Sequence, residues 1–506
     1  MMVRLYSEVK NNSTPLDLPD IPVSEYQVFY DQIAEHLKFE TSHCLAYYLH
    51  GLTGKQRLYC CIADDLTGKI KVFCHELNNG TTKLKSLTPV CPQLHIFERE
   101  IHENSGIEFE GHPWMKPVRY PYDRRDILSN MDNYPFYEIE SDELHEVGVG
   151  PIHAGVIEPG HFRFICNGEK VLHLEIQLGY QHRGIEKLFL ERKDPLQRCI
   201  LSESIAGDTS VGHALAHTQL IESLAGIEVS DALHIERCIA LEMERIAMHI
   251  GDTAALCGDV AYQLGQAVCE ALRTTIINTT QYWCGNRFGK GLIRPGGTNY
   301  PMTDDIADEI FRMLDDSGRR FSEITDRIYS LQTVLGRFED IGIVTRQQAL
   351  STGAVGMAAR SCGIFRDTRE THPFQYYKNH QVNTVMLETG DVLARGMLRK
   401  QEVLESVKTI NELIGIWRHK DKNSVKPVYD YVLKPDSFGV SIAEGWRGEI
   451  CHIAHTDRDG IICHYKVKDP SVHNWMSLAL AVRNEEISDF PVCNKSFNLS
   501  YCGHDL

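Results

Sequence analysis

At 506 residues the chain exceeds what one hydrophobic core usually organises, so two or more domains are expected. Its 52 basic and 69 acidic residues give a formal net charge of −17, which excludes the basic surface a nucleic-acid binder needs to neutralise phosphates. There is no apolar run of about 18 residues and no signal-like leader in "MMVRLYSEVKNN", so a cytoplasmic chain is expected.

The first element in chain order is "SEYQVFYDQIAEHLK", residues 24–38. Ser24 and Gln27 have capping-box spacing, and Tyr26, Phe29, Tyr30, Ile33 and Leu37 fall on one face of a helix. "RLYCCIA" and "KIKVFCHEL" then flank "DDLTG", a strand, a turn at Gly68 and a second strand. Together these predict a small α+β domain over residues 1–122. Residues 123–149 are rich in Pro, Asp, Glu and Asn without an apolar period and read as a linker.

Beyond the linker, helical patterns dominate. The clearest, Asp231 to Val260, repeats Ile235, Ile239, Met243, Ile246 and Ile250 at helical spacing. Its Glu236, Glu242, Glu244 and Arg245 are expected in solvated or interhelical pairs. The sixteen cysteines include no Cys-x-x-Cys, and Cys60 and Cys61 point to opposite faces of a strand, so buried free thiols are expected. Neither a Gly-x-Gly-x-x-Gly turn nor a Walker lysine loop is present to bind a nucleotide.

Two groups of motifs carry a family resemblance. "FEREIHENSGIEFEGHPWMKPVRYPYD" (97–123) resembles the signature of the 30-kDa-type subunit of respiratory complex I. "GPIHAGVIEPGHFRF" (150–164), "LGYQHRGIEKLF" (178–189), "NRFGKGLIRPGG" (286–297), "GDVLAR" (390–395), "EGWRGEICH" (444–452) and "YKVKDPSVHNW" (465–475) resemble the nickel-iron hydrogenase large subunit and its relative, the 49-kDa-type subunit of complex I. A chain fusing the two is similar to the large subunit of formate-hydrogenlyase-type, hydrogenase-4-like complexes. The implied fold is α+β: the small N-terminal domain, then a large, mainly helical hydrogenase-large-subunit-like domain over 150–506.

In metal-bearing members, two Cys-x-x-Cys pairs supply four thiolates to nickel and iron, which favour soft ligands. Aligned on "SIAGDTSVGHALAH", the first pair falls at Ala206 and Thr209; on "NKSFNLSYCGHDL", the second falls at Asn498 and Tyr501. The resemblance therefore implies that the metal site is lost and that its cavity remains, with quinone as one possible occupant and a hydrogenase with unusual ligands as a remote reading.

Glu158 matches a proton-gate glutamate, and His161 beside it is a candidate donor to a quinone oxygen. Glu158 and Asp208 are expected to converge on Arg447 at the former metal site, the two acids answering its charge, with Thr209 and Tyr501 supplying hydroxyls. His182 and Arg183 match positions beside a partner's iron–sulfur cluster. Each has a structural alternative: a capped loop acid for Glu158, a loop-fixing ring for His161, interfacial ion pairing for His182 and Arg183. Arg294, Arg360 and Asp391 are expected to be scaffold, and Glu98, Arg99 and Glu100 to form an ion-pairing surface against a partner or the large domain.

The resemblance implies an oxidoreductase core subunit with no metal ligands and no cofactor of its own. Its expected partners are an iron–sulfur small subunit, a ferredoxin-like subunit and membrane antiporter-like subunits, which would hold it on the inner face of the cell membrane. A redox-inactive scaffold subunit is the alternative.

Overall fold

The computed structural model of the chain describes residues 5–52, 55–78, 80–153, 157–422 and 426–506; residues 154–156 of the 150–164 motif lie outside them. Strands β1 (Ser7–Lys10), β2 (Ser42–Leu52), β3 (Lys55–Asp64) and β4 (Lys69–Glu76) form an antiparallel sheet in the order β1-β4-β3-β2. The β3–β4 hairpin turns at Gly68, whose φ of 64° is left-handed and costs glycine little. Strand alternation separates neighbours: Cys60 packs with Phe29, Ile33 and Tyr47, whereas Cys61 belongs to a cluster with Val72, Phe438 and Ile453.

Helix α1 (Tyr26–His36) packs on the Cys60 face, as does α2 (His95–Ser105). The expected capping box does not form. Val23 bridges to Cys74 and the Ser24 hydroxyl donates to the Cys74 carbonyl, so Ser24 is already committed to the sheet. Gln27 instead donates to Asp31 one turn on.

The expected surface of Glu98, Arg99 and Glu100 is also corrected, because consecutive helical side chains point in different directions. All three are buried. Glu98 accepts from Ser86, Thr88 and the Leu87 amide, while Arg99 donates to the Lys116 and Pro117 carbonyls and lies 4.6 Å from the Trp114 ring centre. Glu100 pairs with Arg119 of its own domain at 2.7 Å and reaches the large domain through Lys466 at 2.5 Å.

Residues 123–144 form neither helix nor strand, but His145–Val149 is β5, so the linker ends earlier than its composition indicates. It pairs with β6 (His161–Asn167), which pairs with β7 (Lys170–Gln177). The helical part is built on α3 (Ser210–Ala225), α4 (Asp231–Asp259), α5 (Gln263–Cys284), α6 (Asp304–Ile328) and α7 (Val392–Trp417). The isoleucine and methionine stripe read from α4 lies in its largest core. A third antiparallel sheet, β8 (Ser437–Gly445), β9 (Gly448–Thr456) and β10 (Ile462–Lys468), is extended at the β8 edge by Leu16–Asp17. This sheet covers the Cys61 face of the first sheet, so β3 is buried on both sides and reads as a continuous apolar run.

The charges of α4 are interior rather than solvated. Glu242 pairs with Arg245 and Arg369, and Arg360 pairs with Glu402 of α7 and Glu444 of β8. Arg294 pairs with Glu203, and Asp391 caps α7 through the Ala394 amide. Such pairing is obligatory at these positions, since breaking a buried pair by removing one partner costs about 3–5 kcal/mol.

Candidate functional site

The loop Ala206–Thr209 runs directly into α3, and the tip of the β8–β9 hairpin lies against it. The hairpin register closes at Gly445 and Gly448, leaving Trp446 and Arg447 at the tip. A close glycine contact seats this tip: a Cβ on Gly356, where φ is 58°, would lie 2.1 Å from the Gly448 Cα. The Trp446 indole donates to the Asp208 carbonyl at 2.9 Å, and the Arg447 guanidinium stands 3.9 Å from the Trp446 ring centre.

Arg447 makes four hydrogen bonds here. Nη1 and Nη2 each donate to one Asp208 carboxylate oxygen at 2.7 Å, Nη1 also donates to Thr209 Oγ1 at 3.2 Å, and Nε donates to the Asn498 carbonyl at 2.5 Å. The fork-to-fork arrangement is the strongest geometry available to an arginine and a carboxylate. Burial alone would raise the pKa of Asp208, but Arg447 reverses this and holds it below the ordinary value. Burial would lower that of Arg447, and Asp208, Asp469 and Asp252 together raise it. The pair sits at the edge of the protein: Gly207 is exposed, the Asp208 side chain is 36% exposed and that of Arg447 is 4% exposed.

Asn498 links this pair to a second one. Its amide donates to Asp252 at 2.6 Å, and Asp252 accepts from Arg399 at 2.9 Å. Below the loop, the Glu244 carboxylate of α4 accepts from the Val211 and Gly212 amides at 2.7 and 3.1 Å, meeting the open start of α3. Burial pushes the Glu244 pKa up to about 8, against the lowering effect of those two amides.

The expected site residues thus divide. Asp208, Thr209 and Arg447 come together. Glu158 is half-buried and accepts from the Cys502 amide at 3.1 Å rather than facing Arg447. His161, at the start of β6, packs on Phe136 with ring centres 5.2 Å apart. The Tyr501 ring packs against Trp475 and His153, and burial pushes its pKa up to about 12. His182 bonds to the Asp505 carbonyl at 2.8 Å, and Arg183 donates to the Ser204, Ile205 and Cys502 carbonyls. His182 and Arg183 line a surface cleft of about 670 Å³ shared with Arg119, Glu186 and Tyr465.

The residues do not fit a nickel-iron centre. Ala206 has no donor atom, the Thr209 hydroxyl is engaged by Arg447, and the Asn498 amide is engaged by Asp252. The nearby Cys493 and Cys502 are buried and stand at neither of the aligned positions, 498 and 501.

A family model for the 30 Kd subunit of respiratory-chain NADH dehydrogenase matches residues 21–130, and one for its 49 Kd subunit matches residues 259–427. The chain is a fusion of complex I 30-kDa-type and 49-kDa-type domains. It is 26% identical over 468 residues to hydrogenase-4 component G of Escherichia coli, covering 89% of this chain and 81% of that one. It is 26% identical over 444 residues to formate hydrogenlyase subunit 5 of the same organism, covering 84% and 77%. NADH-quinone oxidoreductase subunit 4 of Thermus thermophilus is 25% identical over 370 residues, covering 69% and 90%. The fusion is therefore similar to subunits of hydrogenase and NADH–quinone oxidoreductase complexes, in keeping with an oxidoreductase subunit that works with others.

Sequence reading missed several residues of the site. The Asn498 contribution is a backbone carbonyl, which carries no sequence signal. Glu244 reads only as a member of a solvated or interhelical pair, and Asp252 of the same helix carries no signal of its own. His213 and His217 had a signal, since their i, i+4 spacing in "GHALAH" places them on one face of α3.

Proposed function

We propose that this fusion is a core subunit of a membrane-associated oxidoreductase, passing electrons from an iron–sulfur small subunit to an acceptor at the former metal site. Ion translocation would take place in partner membrane subunits, with a ferredoxin-like subunit supplying electrons. The observation that carries this reading is the Arg447–Asp208 pair, which bonds to Thr209 and Asn498, two positions where the resemblance expects thiolates, and offers a cation and hydrogen-bonding oxygens in place of a soft metal-binding set. Such a set suits an acceptor with polar oxygens, of which a quinone is one. Attachment to the inner membrane face would come through partners, since no helix among the described residues is long and apolar enough to cross a membrane.

A scaffold role is the second reading, favoured by one observation. The four hydrogen bonds of Arg447 leave one of its five N–H groups for a substrate.

The test is the complex purified from membranes. Nickel analysis should find no stoichiometric metal, and Asp208→Asn should lower turnover with a quinone acceptor while the subunits stay assembled. Stoichiometric nickel with hydrogen uptake would overturn the loss of the metal site. Full turnover in the Asp208→Asn complex would favour the scaffold.

A further inference from the structure

Behind the Arg447–Asp208 pair lies an unbroken row of buried titratable groups. His213 Nε2 is 3.1 Å from Asp469 Oδ2, and His213 Nδ1 is 3.1 Å from His452 Nε2. His452 Nδ1 is 2.8 Å from the Tyr465 hydroxyl, which is also 2.8 Å from His217 Nδ1. Helix α3 supplies His213 and His217, β9 supplies His452, and β10 supplies Tyr465, with Asp469 just beyond its end. All five are at most 1% exposed.

The contacts fix a direction. Asp469 accepts from the Ser471 amide at its other oxygen and feels the positive charge of Arg447, so it is ionised and takes the His213 Nε2 proton. In neutral imidazole, one nitrogen donates and the other accepts. His213 Nδ1 therefore accepts from His452 Nε2, and His452 Nδ1 accepts the single phenol proton of Tyr465. The Tyr465 oxygen then accepts from His217 Nδ1. Every proton in the row points toward Asp469, and the row ends at His217 Nε2, a buried acceptor without a hydrogen-bond partner among the described residues.

A purely structural row would be satisfied at both ends, because an unpaired buried polar atom is costly. Here one end opens on an unbonded nitrogen, and Tyr465 also lines the surface cleft at His182 and Arg183. The other end shares the field of Arg447 with Asp208. Burial, with Arg198 and Arg294, lowers the pKa of His217 to about 3, so a proton taken at Nε2 is released at once from Nδ1 and does not rest on the ring; Arg198 and Tyr431 act on Tyr465.

We propose that Asp469, His213, His452, Tyr465 and His217 form a proton relay between the protein interior beneath the cleft and the acceptor at Arg447–Asp208; it rests on the acceptor reading of that site. Hydronium gives its proton to His217 Nε2. The His217 Nδ1 proton passes to Tyr465, the phenol proton to His452 Nδ1, the His452 Nε2 proton to His213 Nδ1, and the His213 Nε2 proton to Asp469. No electrons move, and one net proton reaches the carboxylate, from which the reduced, quinone-type acceptor takes it. Afterwards the row points the other way, so it supplies one proton per reset.

Two measurements test this. Nitrogen-15 NMR of the histidine-labelled complex should show N–H at Nε2 of His213 and His452 and at Nδ1 of His217; any other set of tautomers overturns the relay's direction. Tyr465→Phe removes the phenol and keeps the ring, and should lower quinone-coupled turnover about tenfold or more, with a changed solvent deuterium isotope effect. If that variant does not assemble, His217→Gln, which keeps an amide donor toward Tyr465, should give the same loss. Wild-type turnover and isotope effect in Tyr465→Phe, where Asp208→Asn loses turnover, would overturn the relay alone. Wild-type turnover in both would instead remove the acceptor reading and the relay with it.

Discussion

Arg447 and Asp208 meet fork to fork, with Nη1–Oδ1 and Nη2–Oδ2 both 2.7 Å, joining the tip of the β8–β9 hairpin to the loop before α3. Their exposures differ: the arginine is buried and the aspartate faces partly outward. The pair therefore has a buried cation whose partner is within reach of water.

Asp208→Asn follows from that asymmetry. A fully buried pair would lose about 3–5 kcal/mol, but at 36% exposure solvent screens part of the charge, and about 1–2 kcal/mol is expected. Denaturant unfolding of the variant checks this. A loss as large as for a sealed pair would mean that the loop is closed to water.

Glu158 is predicted to act through its carbonyl-like oxygen. It accepts from the Cys502 amide at the start of the short Tyr501–Asp505 helix, and Gln can make the same bond. Glu158→Gln should therefore unfold within about 0.5 kcal/mol of the parent, whereas Glu158→Ala should lose about 1 kcal/mol, as when a helix cap is removed. Equal losses in the two variants would show that the charge, not the hydrogen bond, matters there.

Glu100 is one of the contacts between the two domains, through Lys466. Burial raises its pKa, but Arg119 and Lys466 outweigh burial and lower it to about 2. A depressed carboxylate pKa contributes stability above its unfolded value, and that contribution fades as pH falls toward the folded value. Glu100→Gln should accordingly cost a few kcal/mol at neutral pH, since each tenfold change in proton affinity is worth about 1.4 kcal/mol, with the gap to the parent narrowing from about pH 4.5 downward. Unfolding measured across that range checks it; a gap independent of pH would sink the assignment.

The fold was legible wherever a single periodicity governs a segment. The stripe of α4 and the alternation around Cys60 and Cys61 both appear as expected, because burial of one face leaves its period in the residues. The capping box at Ser24 failed because a neighbouring strand claimed that hydroxyl, a tertiary contact invisible to spacing. In the site, Asp208 and Arg447 were legible through resemblance. Asp469, His452 and Tyr465 were not, since their meaning lies in hydrogen bonds spanning hundreds of residues of sequence, such as His213 to Asp469.

Glu244 carries the last prediction. Its carboxyl lies beneath the Asp208 loop, 7% exposed, with the Val211 and Gly212 amides as its donors. Burial outweighs those bonds, and Asp208 adds to the effect, so its pKa rises to about 8 from 4.5. A raised carboxyl pKa means that stability is fully present below the unfolded value and is lost as pH rises to the folded one. Between about pH 5 and 8 the unfolded chain ionises Glu244 while the native protein does not, so folding takes up a proton there. Glu244→Gln removes that titration. Its amide changes the contact with Gly212, but this cost does not depend on pH. The stability of the variant relative to the parent should therefore climb by a few kcal/mol from about pH 5 to pH 8, at about 1.4 kcal/mol for each tenfold change in proton activity. Unfolding of both proteins at several pH values measures the slope. Parallel curves would show that Glu244 is ionised in the native state, held by the α3 amides as a charged cap.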